Sequence, residues 1–374
     1  PAKWVYDMLA KGVKSFYKIE NGTRQYYDIN SGAYKNIPGK GEFIILENYR
    51  GNKPVWKNVG ATLHDIGDGV LNLEFQTKMN SIGSEILEAI NKSIEIAEKD
   101  YKGLVIGNDG ANFSAGANLA MMFMLATEQE YDEIDMAVRA FQNATMRIRY
   151  SAIPVVSAPH GMTLGGGCEV CLHSDKVVAG AETYIGLVEV GVGIIPAGGG
   201  TKEMTLRASD QYQKDLVELP ILQEKFLNIA MAKVATSAQK AFGLGIFKNG
   251  RDKYVINQNR VILESKKAVL ELSAQGYTQP AQREDIKVLG RSGLSTLLLG
   301  AYSFYNAKYI SEHDKKIAEK LAYIMCGGDL TAPSLVSEQY LLDLEREAFL
   351  SLIGEKKSME RIQSILTTGK PLRN

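Results

Sequence analysis

Cysteine is scarce in this chain: Cys168, Cys171 and Cys326 are the only three in 374 residues. Three thiols do not make a disulfide framework at this length, so a disulfide-built secreted module is excluded and a reducing cytoplasm is expected. Histidine numbers four (His64, His160, His173, His313) with no paired ligand spacing, and no metal site is expected from them. Long hydrophobic runs are missing too. Nothing approaches the ~18 apolar residues of a membrane span, and no charged-then-apolar leader opens the chain. Net charge is also absent, with Lys plus Arg and Asp plus Glu both at 43. No bulk field therefore attracts nucleic acid or a membrane surface, and an anionic ligand has to be held by local groups. The first residue is Pro1 and not methionine, as in a processed chain or one cut from something longer.

What is present reads as an ordinary soluble composition, 45 % hydrophobic and 23 % charged. The length suits two domains, or one large domain with appendages. Residues 1–55 stand apart. Trp4, Val5, Leu9, Val13 and Phe16 fall near helical spacing, which predicts a helix over Lys3 to Tyr17. A polar, tyrosine-rich piece follows, with turn signals at Asn21-Gly22, Ser31-Gly32 and Pro38-Gly39. This piece is too small and polar to bury a core alone. It is expected to be an accessory arm on the main body, or the tail of an upstream domain.

From Val59 the pattern changes. Ala61–Asp65 and Val70–Phe75 flank Gly67 and Gly69 and predict a hairpin. Ser81 to Glu98 places Ile82, Ile86, Leu87, Ile90 and Ile94 on one helical face. Short strands are predicted at 103–107, 154–158, 176–179 and 183–185, and helices at 118–125 and 130–149. Strand–helix alternation implies an α/β fold with largely parallel pairing. Beyond Thr201 the composition turns helical, with segments at 223–234, 261–274, 292–310, 313–325 and 337–352. The expected division is an arm over 1–55, an α/β core over 56–210 and a helical region over 211–374.

The chemistry concentrates in residues 157–201. Two glycine triplets, Gly165-Gly166-Gly167 and Gly198-Gly199-Gly200, bracket Glu169 and Glu189, both in apolar surroundings. Glycine triplets favour neither helix nor strand, but they let backbone N–H groups approach a ligand. The first triplet, lying between a strand and a helix, suits a developing oxyanion; tight packing against a neighbouring strand would also select glycine. Phe113-Ser114-Ala115-Gly116-Ala117 is a second loop of the same kind. If Glu169 and Glu189 share a pocket they can hold a water and divide acid from base work. Otherwise Glu169 complements a helix dipole and Glu189 is solvated. The Cys168-x-x-Cys171 spacing lacks redox surroundings, and runs such as Lys315-Lys316 and Glu345-Arg346-Glu347 read as solvated helix faces. No G-x-S-x-G elbow and no phosphate-loop lysine motif occurs.

Four stretches in order resemble the crotonase (enoyl-CoA hydratase/isomerase) superfamily. They are Lys78-Met79-Asn80, Phe113 to Leu119, Gly161 to Glu169 (GMTLGGGCE) and Val188 to Thr201 (VEVGVGIIPAGGGT). Residues 1–55 and the helical tail resemble the C-terminal part of bacterial proteins that join a 3-hydroxyacyl-CoA dehydrogenase to an enoyl-CoA hydratase. The resemblance implies a spiral of ββα units with a helical C-terminal region. It implies Ala117 and Gly166 as the oxyanion-hole N–H donors and Glu169 and Glu189 as the hydratase carboxylates. Ser114, Ala115, Gly116, Gly165, Gly167 and Leu119 are the expected substrate and CoA contacts. The expected reaction is hydration of trans-2-enoyl-CoA in fatty-acid β-oxidation, with isomerisation or a silent CoA-binding module as alternatives. The expected ligand is an acyl-CoA, with no cofactor beyond the coenzyme A of the substrate and no metal. A homo-oligomer and a thiolase partner are expected as well. No G-x-G-x-x-G fingerprint follows an N-terminal strand, so NAD binding is not expected here. Asn118, Val188 and Ala197 depart from the usual family residues without removing a catalytic group, and bear on substrate range more than on activity.

Overall fold

The computed structural model describes residues 1–20, 22–39 and 43–374. Asn21, half of one expected turn, lies outside them. The first helix, α1 (Lys3–Ala10), is shorter than its apolar spacing predicts. Gly12 takes a positive φ of 78° immediately after it, and the chain is extended by Phe16, whose carbonyl accepts from Tyr27. Three strands follow, β1 (Tyr17–Glu20), β2 (Thr23–Asp28) and β3 (Ala33–Asn36), forming an antiparallel sheet of their own.

The main body begins with β4 (Trp56–Lys57), β5 (Ala61–Asp65) and β6 (Val70–Phe75). The hairpin between β5 and β6 turns through Gly67, Asp68 and Gly69, all at positive φ, as its glycines predict. After α2 (Ser84–Asp100) come β7 (Gly103–Ile106), α3 (Leu119–Thr127), α4 (Tyr131–Arg149), β8 (Val155–Ser157) and β9 (Met162–Leu164). Next are α5 (Gly166–His173), β10 (Lys176–Gly180), β11 (Tyr184–Gly186), α6 (Gly200–Ser209), α7 (Leu219–Ala230) and α8 (Ala238–Gly243). The chain ends with β12 (Lys253–Val255), α9 (Val261–Ala274), β13 (Ile286–Val288), α10 (Gly290–Asn306), α11 (Glu312–Met325), β14 (Ser334–Val336), α12 (Glu338–Ile353) and α13 (Lys356–Thr368).

Seven strands form the central sheet in the order β12-β10-β8-β7-β6-β5-β4, parallel from β12 to β6 and antiparallel beyond. A two-stranded parallel sheet, β11-β9, lies apart from it. The period-two alternation of the strands sorts side chains to two faces. Leu71, Leu104, Val155 and Val177 enter the large core with α2, α4, α5 and α6. Val70, Val105, Val156 and Val178 pack on the other face against Val261, Ile262 and Val269 of α9. Each such side chain contributes about 1.5–3 kcal/mol on burial, so both faces are strongly held.

The division expected at residue 210 is not a break. Strand β12 completes the sheet and α9 covers it, while one continuous core runs from Ala61 to Ile362. Three-residue strands such as β12 carry too little periodicity to be read from sequence, so the helical tail appeared longer than it is.

Candidate active site

The walls of the site are set by backbone pairing. Residues 114–118 are threaded between two neighbours: Ser114 pairs with Thr163 of β9, and Ile82 pairs with Ala117. Ile82 donates to the Gly116 carbonyl at 2.8 Å, and Asn118 donates to the Ile82 carbonyl at 3.1 Å. The Lys78–Asn80 turn braces this loop from below, since Met79 accepts from Ala115 and the Asn80 amide donates to Asn112. On the other side Gly165, at φ 52°, precedes α5 and donates to the Gly186 carbonyl of β11 at 2.9 Å. This places Gly166 at the first turn of α5, where its N–H has no intrahelical acceptor. A β-carbon on Gly166 would lie 3.3 Å from the Ala117 nitrogen and 2.7 Å from the Phe141 ring. Among the described residues neither the Ala117 nor the Gly166 N–H donates to a protein acceptor. Two adjacent unpaired donors at a helix N-terminus form a ready anion hole.

Both donors border a cavity of about 420 Å³ whose walls include Met121, Met122, Phe141, Ile194 and Phe349. Glu169 and Glu189 line the same cavity. Glu169 projects from the first turn of α5, and its Oε1 accepts from the Gly200 N–H at 2.8 Å. Burial lifts its carboxyl to about 7, although the Gly200 and Gly198 N–H groups favour the charged form. Glu189 does not sit in open loop; it begins a short 3-10 turn, Glu189–Val192. Burial, and then repulsion from Glu169, raise its carboxyl well above the usual range. Its Oε2 is buried without a hydrogen-bond partner, an exception to the rule that buried polar atoms are paired. The two carboxylates are thus brought together, and the alternative of a solvated Glu189 is ruled out.

The second triplet is part of the same device. Gly199, in the left-handed region at φ 100°, turns the chain into α6. A β-carbon on Gly198 would stand 2.5 Å from Glu169 Oε2, and one on Gly200 2.8 Å from Oε1. Glycine is required here because any side chain would strike the carboxylate. Behind it lies a buried charge network. Lys202 Nζ contacts Glu338 Oε2 at 2.7 Å and His173 Nε2 at 3.0 Å. His173 Nδ1 donates to the Glu169 carbonyl at 2.7 Å, so the ring is neutral, with Nε2 accepting from the lysine. Burial, with Lys202 and Arg149 next, accordingly lowers its basicity well below the ordinary value. Glu203 pairs with Arg149 at 2.5 Å and Arg207 at 2.9 Å. Glu345 of α12 accepts from the Gly199 N–H at 3.0 Å and from the Lys202 N–H.

The site differs from its expected form at two places. Ala115, Gly116, Gly165 and Leu119 do border the cavity, but Ser114 and Gly167 stand behind its wall. A β-carbon on Gly167 would meet Ser114 Cβ at 2.8 Å, and Ser114 Oγ accepts from Gly116 N–H at 3.1 Å, so the two pack on each other. Glu345, expected on a solvated face, is fully buried while Glu347 is exposed. Its signal was in the spacing: Leu341, Leu342, Glu345, Ala348, Phe349 and Leu352 share one helical stripe. Asn118 caps α3 by accepting from Met121 at 3.3 Å. Cys168 and Cys171 are buried free thiols whose acidity burial suppresses. Among the described residues no group of three or more His, Cys, Asp or Glu is placed to hold a metal ion, and no helix is long and apolar enough to cross a membrane.

Fold and site agree with a family match: the model of the enoyl-CoA hydratase/isomerase family matches residues 65–215. The fold matches an enoyl-CoA hydratase from Mycobacterium avium subsp. paratuberculosis with a TM-score of 0.53 at 16 % identity, over 85 % of this chain and all (100 %) of that one. It also matches one from Bacillus halodurans with a TM-score of 0.52 at 16 % identity, over 81 % and 99 %. In sequence the chain is 46 % identical over 372 residues to a Bacillus subtilis protein named "Probable 3-hydroxyacyl-CoA dehydrogenase", covering 99 % of this chain and 46 % of that protein. It is 30 % identical over 167 residues to a Psychrobacter cryohalolentis "Fatty acid oxidation complex subunit alpha", covering 42 % and 21 %. The chain therefore spans half or less of the length of these curated relatives.

Proposed function

We propose that the domain hydrates trans-2-enoyl-CoA thioesters to 3-hydroxyacyl-CoA. The observation that supports this reading most is the convergence of two unpaired N–H donors and two carboxyls, Glu169 buried and Glu189 half-buried, on one cavity. A thioester carbonyl resists addition of water at C3 until it is polarised, and donors aimed at the developing oxyanion are worth about 3 kcal/mol each. Ala117 and Gly166 supply them. Glu169, near neutrality and held by two backbone N–H groups, takes a proton from water as the oxygen bonds to C3. The electron pair of the C2–C3 bond moves toward the thioester, whose oxygen carries the charge in the hole. Glu189, kept protonated by burial and by its neighbour, delivers its proton to C2. One water is consumed, and a proton then passes from Glu169 back to Glu189 to reset the pair.

The apolar walls suit the acyl chain, with coenzyme A belonging to the substrate. The relatives that share this kind of sequence carry the names of a 3-hydroxyacyl-CoA dehydrogenase and of a fatty acid oxidation complex subunit. A 3-hydroxyacyl-CoA is the substrate of a dehydrogenase so named, so we place the hydration one step before that oxidation.

Crotonyl-CoA tests the proposal directly, because hydration removes the ultraviolet absorbance of the conjugated thioester. The wild type should consume the signal, with Glu169→Gln and Glu189→Gln each slowed by about 10²–10⁴-fold. If either variant hydrates at near-wild-type rate, the two-carboxyl mechanism fails. A wild type that instead converts 3-enoyl-CoA to 2-enoyl-CoA without consuming crotonyl-CoA is an isomerase.

A further inference from the structure

The turn from Gly198 to Lys202 hands its N–H groups to two carboxylates from different parts of the chain. Gly200 donates to Glu169 at 2.8 Å, with Gly198 also directed to it. Gly199 donates to Glu345 at 3.0 Å, and Lys202 donates to the same carboxylate. One helix N-terminus thus serves the candidate base on one side and, on the other, a fully buried residue of α12 that lies 176 positions after Glu169 in sequence.

Glu345 is itself held firmly. Lys202 Nζ fixes the start of α12 through Glu338 at 2.7 Å, and Arg346 clamps the helix to α4 through Asp135 at 2.7 Å. The Gln142 amide of α4 donates to the Leu342 carbonyl at 2.9 Å. On the opposite edge of the turn, Thr145 of α4 donates to the Gly198 carbonyl at 2.7 Å. Gly199 has no side chain with which to pack and sits at φ 100°, so its conformation depends on these hydrogen bonds. Burial, and then repulsion from Glu169, raise the Glu345 carboxyl well above the usual range. Such a group is costly to keep, and an apolar residue would fill the α12 stripe better if packing were its whole task.

We infer that Glu345 is a positioning residue of the catalytic site, holding the Gly198–Lys202 turn so that Gly198 and Gly200 aim their N–H groups at Glu169. This rests on the hydratase reading above. Its predicted mark is on turnover and not on binding, because Glu345 faces the back of the turn and not the acyl chain.

The test uses Glu345→Gln, which keeps the shape and one acceptor, and Glu345→Asp, which keeps the carboxyl but withdraws it, in case the first does not fold. Thermal melts establish folding, and the Kd for butyryl-CoA, which cannot be hydrated, reports the pocket. The expected result is a Kd within threefold of wild type and a kcat on crotonyl-CoA lowered at least tenfold. A folded variant with kcat within threefold of wild type overturns the inference. Should the wild type be inactive on crotonyl-CoA, the hydratase reading falls, and the positioning role is judged by hydrogen exchange at the Gly200 amide. Faster exchange in Glu345→Gln supports it; unchanged exchange refutes it.

Discussion

Gly200 donates its backbone N–H to the side chain of Glu169 at 2.8 Å across 31 residues of sequence. This bond ties the two glycine triplets into one site: the first opens α5 and offers Gly166, while the second opens α6 and steadies the carboxylate that α5 carries.

Adding one methyl group at the second triplet should therefore disable the site while leaving the fold. A β-carbon at residue 198 stands 2.5 Å from both Glu169 Oε2 and the Phe141 ring. Gly198→Ala should lower kcat by about a hundredfold through misplacement of the base. Circular dichroism and steady-state kinetics check it; an alanine variant of normal kcat would mean that the carboxylate has room to move.

The pH profile should be bell-shaped. Glu169 has to be ionised to accept a proton, so kcat/KM should rise with pH through about 7, where burial has placed its carboxyl. Glu189 has to be protonated, so the rate should fall again at higher pH, its carboxyl being raised by burial and by Glu169. Initial rates from pH 5 to 9.5 decide; a flat profile between 5 and 8 contradicts these roles.

Stability should move in the opposite sense. Glu169 is raised in the folded state above its ordinary 4.5, so the folded chain binds the extra proton between those limits. Its contribution is present below pH 4.5 and lost as pH rises through about 7. The cost is on the order of 3 kcal/mol. Glu169→Gln should accordingly gain in Tm relative to wild type between pH 5 and pH 8. A Tm difference independent of pH would show that the residue ionises as freely as in the unfolded chain.

Phe349 of α12 lines the cavity and is buried. Phe349→Ala should shift preference toward longer acyl chains, read as the kcat/KM ratio of a C10 to a C4 enoyl-CoA, and should cost about 3–5 kcal/mol of stability. An unchanged ratio in folded protein would place the acyl chain elsewhere.

Removing the buried Lys202 charge should be more damaging than removing any surface lysine. Lys202→Met leaves Glu338 without its cation, and breaking one partner of a buried pair costs about 3–5 kcal/mol. Urea denaturation measures it, and a loss below 1 kcal/mol would mean that Glu338 takes up a proton instead.

Much of this was legible in the residues. The β5–β6 hairpin and the α2 stripe from Ile86 to Ile94 follow from glycine placement and apolar period. So does the location of the site at two loop-to-helix junctions. Ile82, expected on the same helical face, instead lies before α2 and bridges to Ala117. The rest depends on contacts far apart in sequence. Whether Glu169 and Glu189 meet was left open by the pattern, because two carboxylates in apolar surroundings do not reveal which way they point. Strand β12 is three residues long, and its place in the sheet is set by β10, 75 residues earlier by the Val178 to Lys253 pairing. Glu345 looked like one of three charges in a row. Only its membership of the Leu341–Leu352 stripe separates it from Glu347, and a lone charge in such a stripe is easily read as tolerated at an edge.

The lateness of α12 has a consequence for biosynthesis. Ile82 and Phe349 border one cavity although 267 positions separate them. A nascent chain that has emerged only as far as the sheet holds Glu169 and Glu189 but lacks Phe349 of the cavity wall and Glu338, the carboxylate that pairs with Lys202. Contacts of such separation form slowly because loop closure precedes their reward. Competence is therefore expected to appear in one step, after most of the chain has left the ribosome, and not to grow gradually with its length.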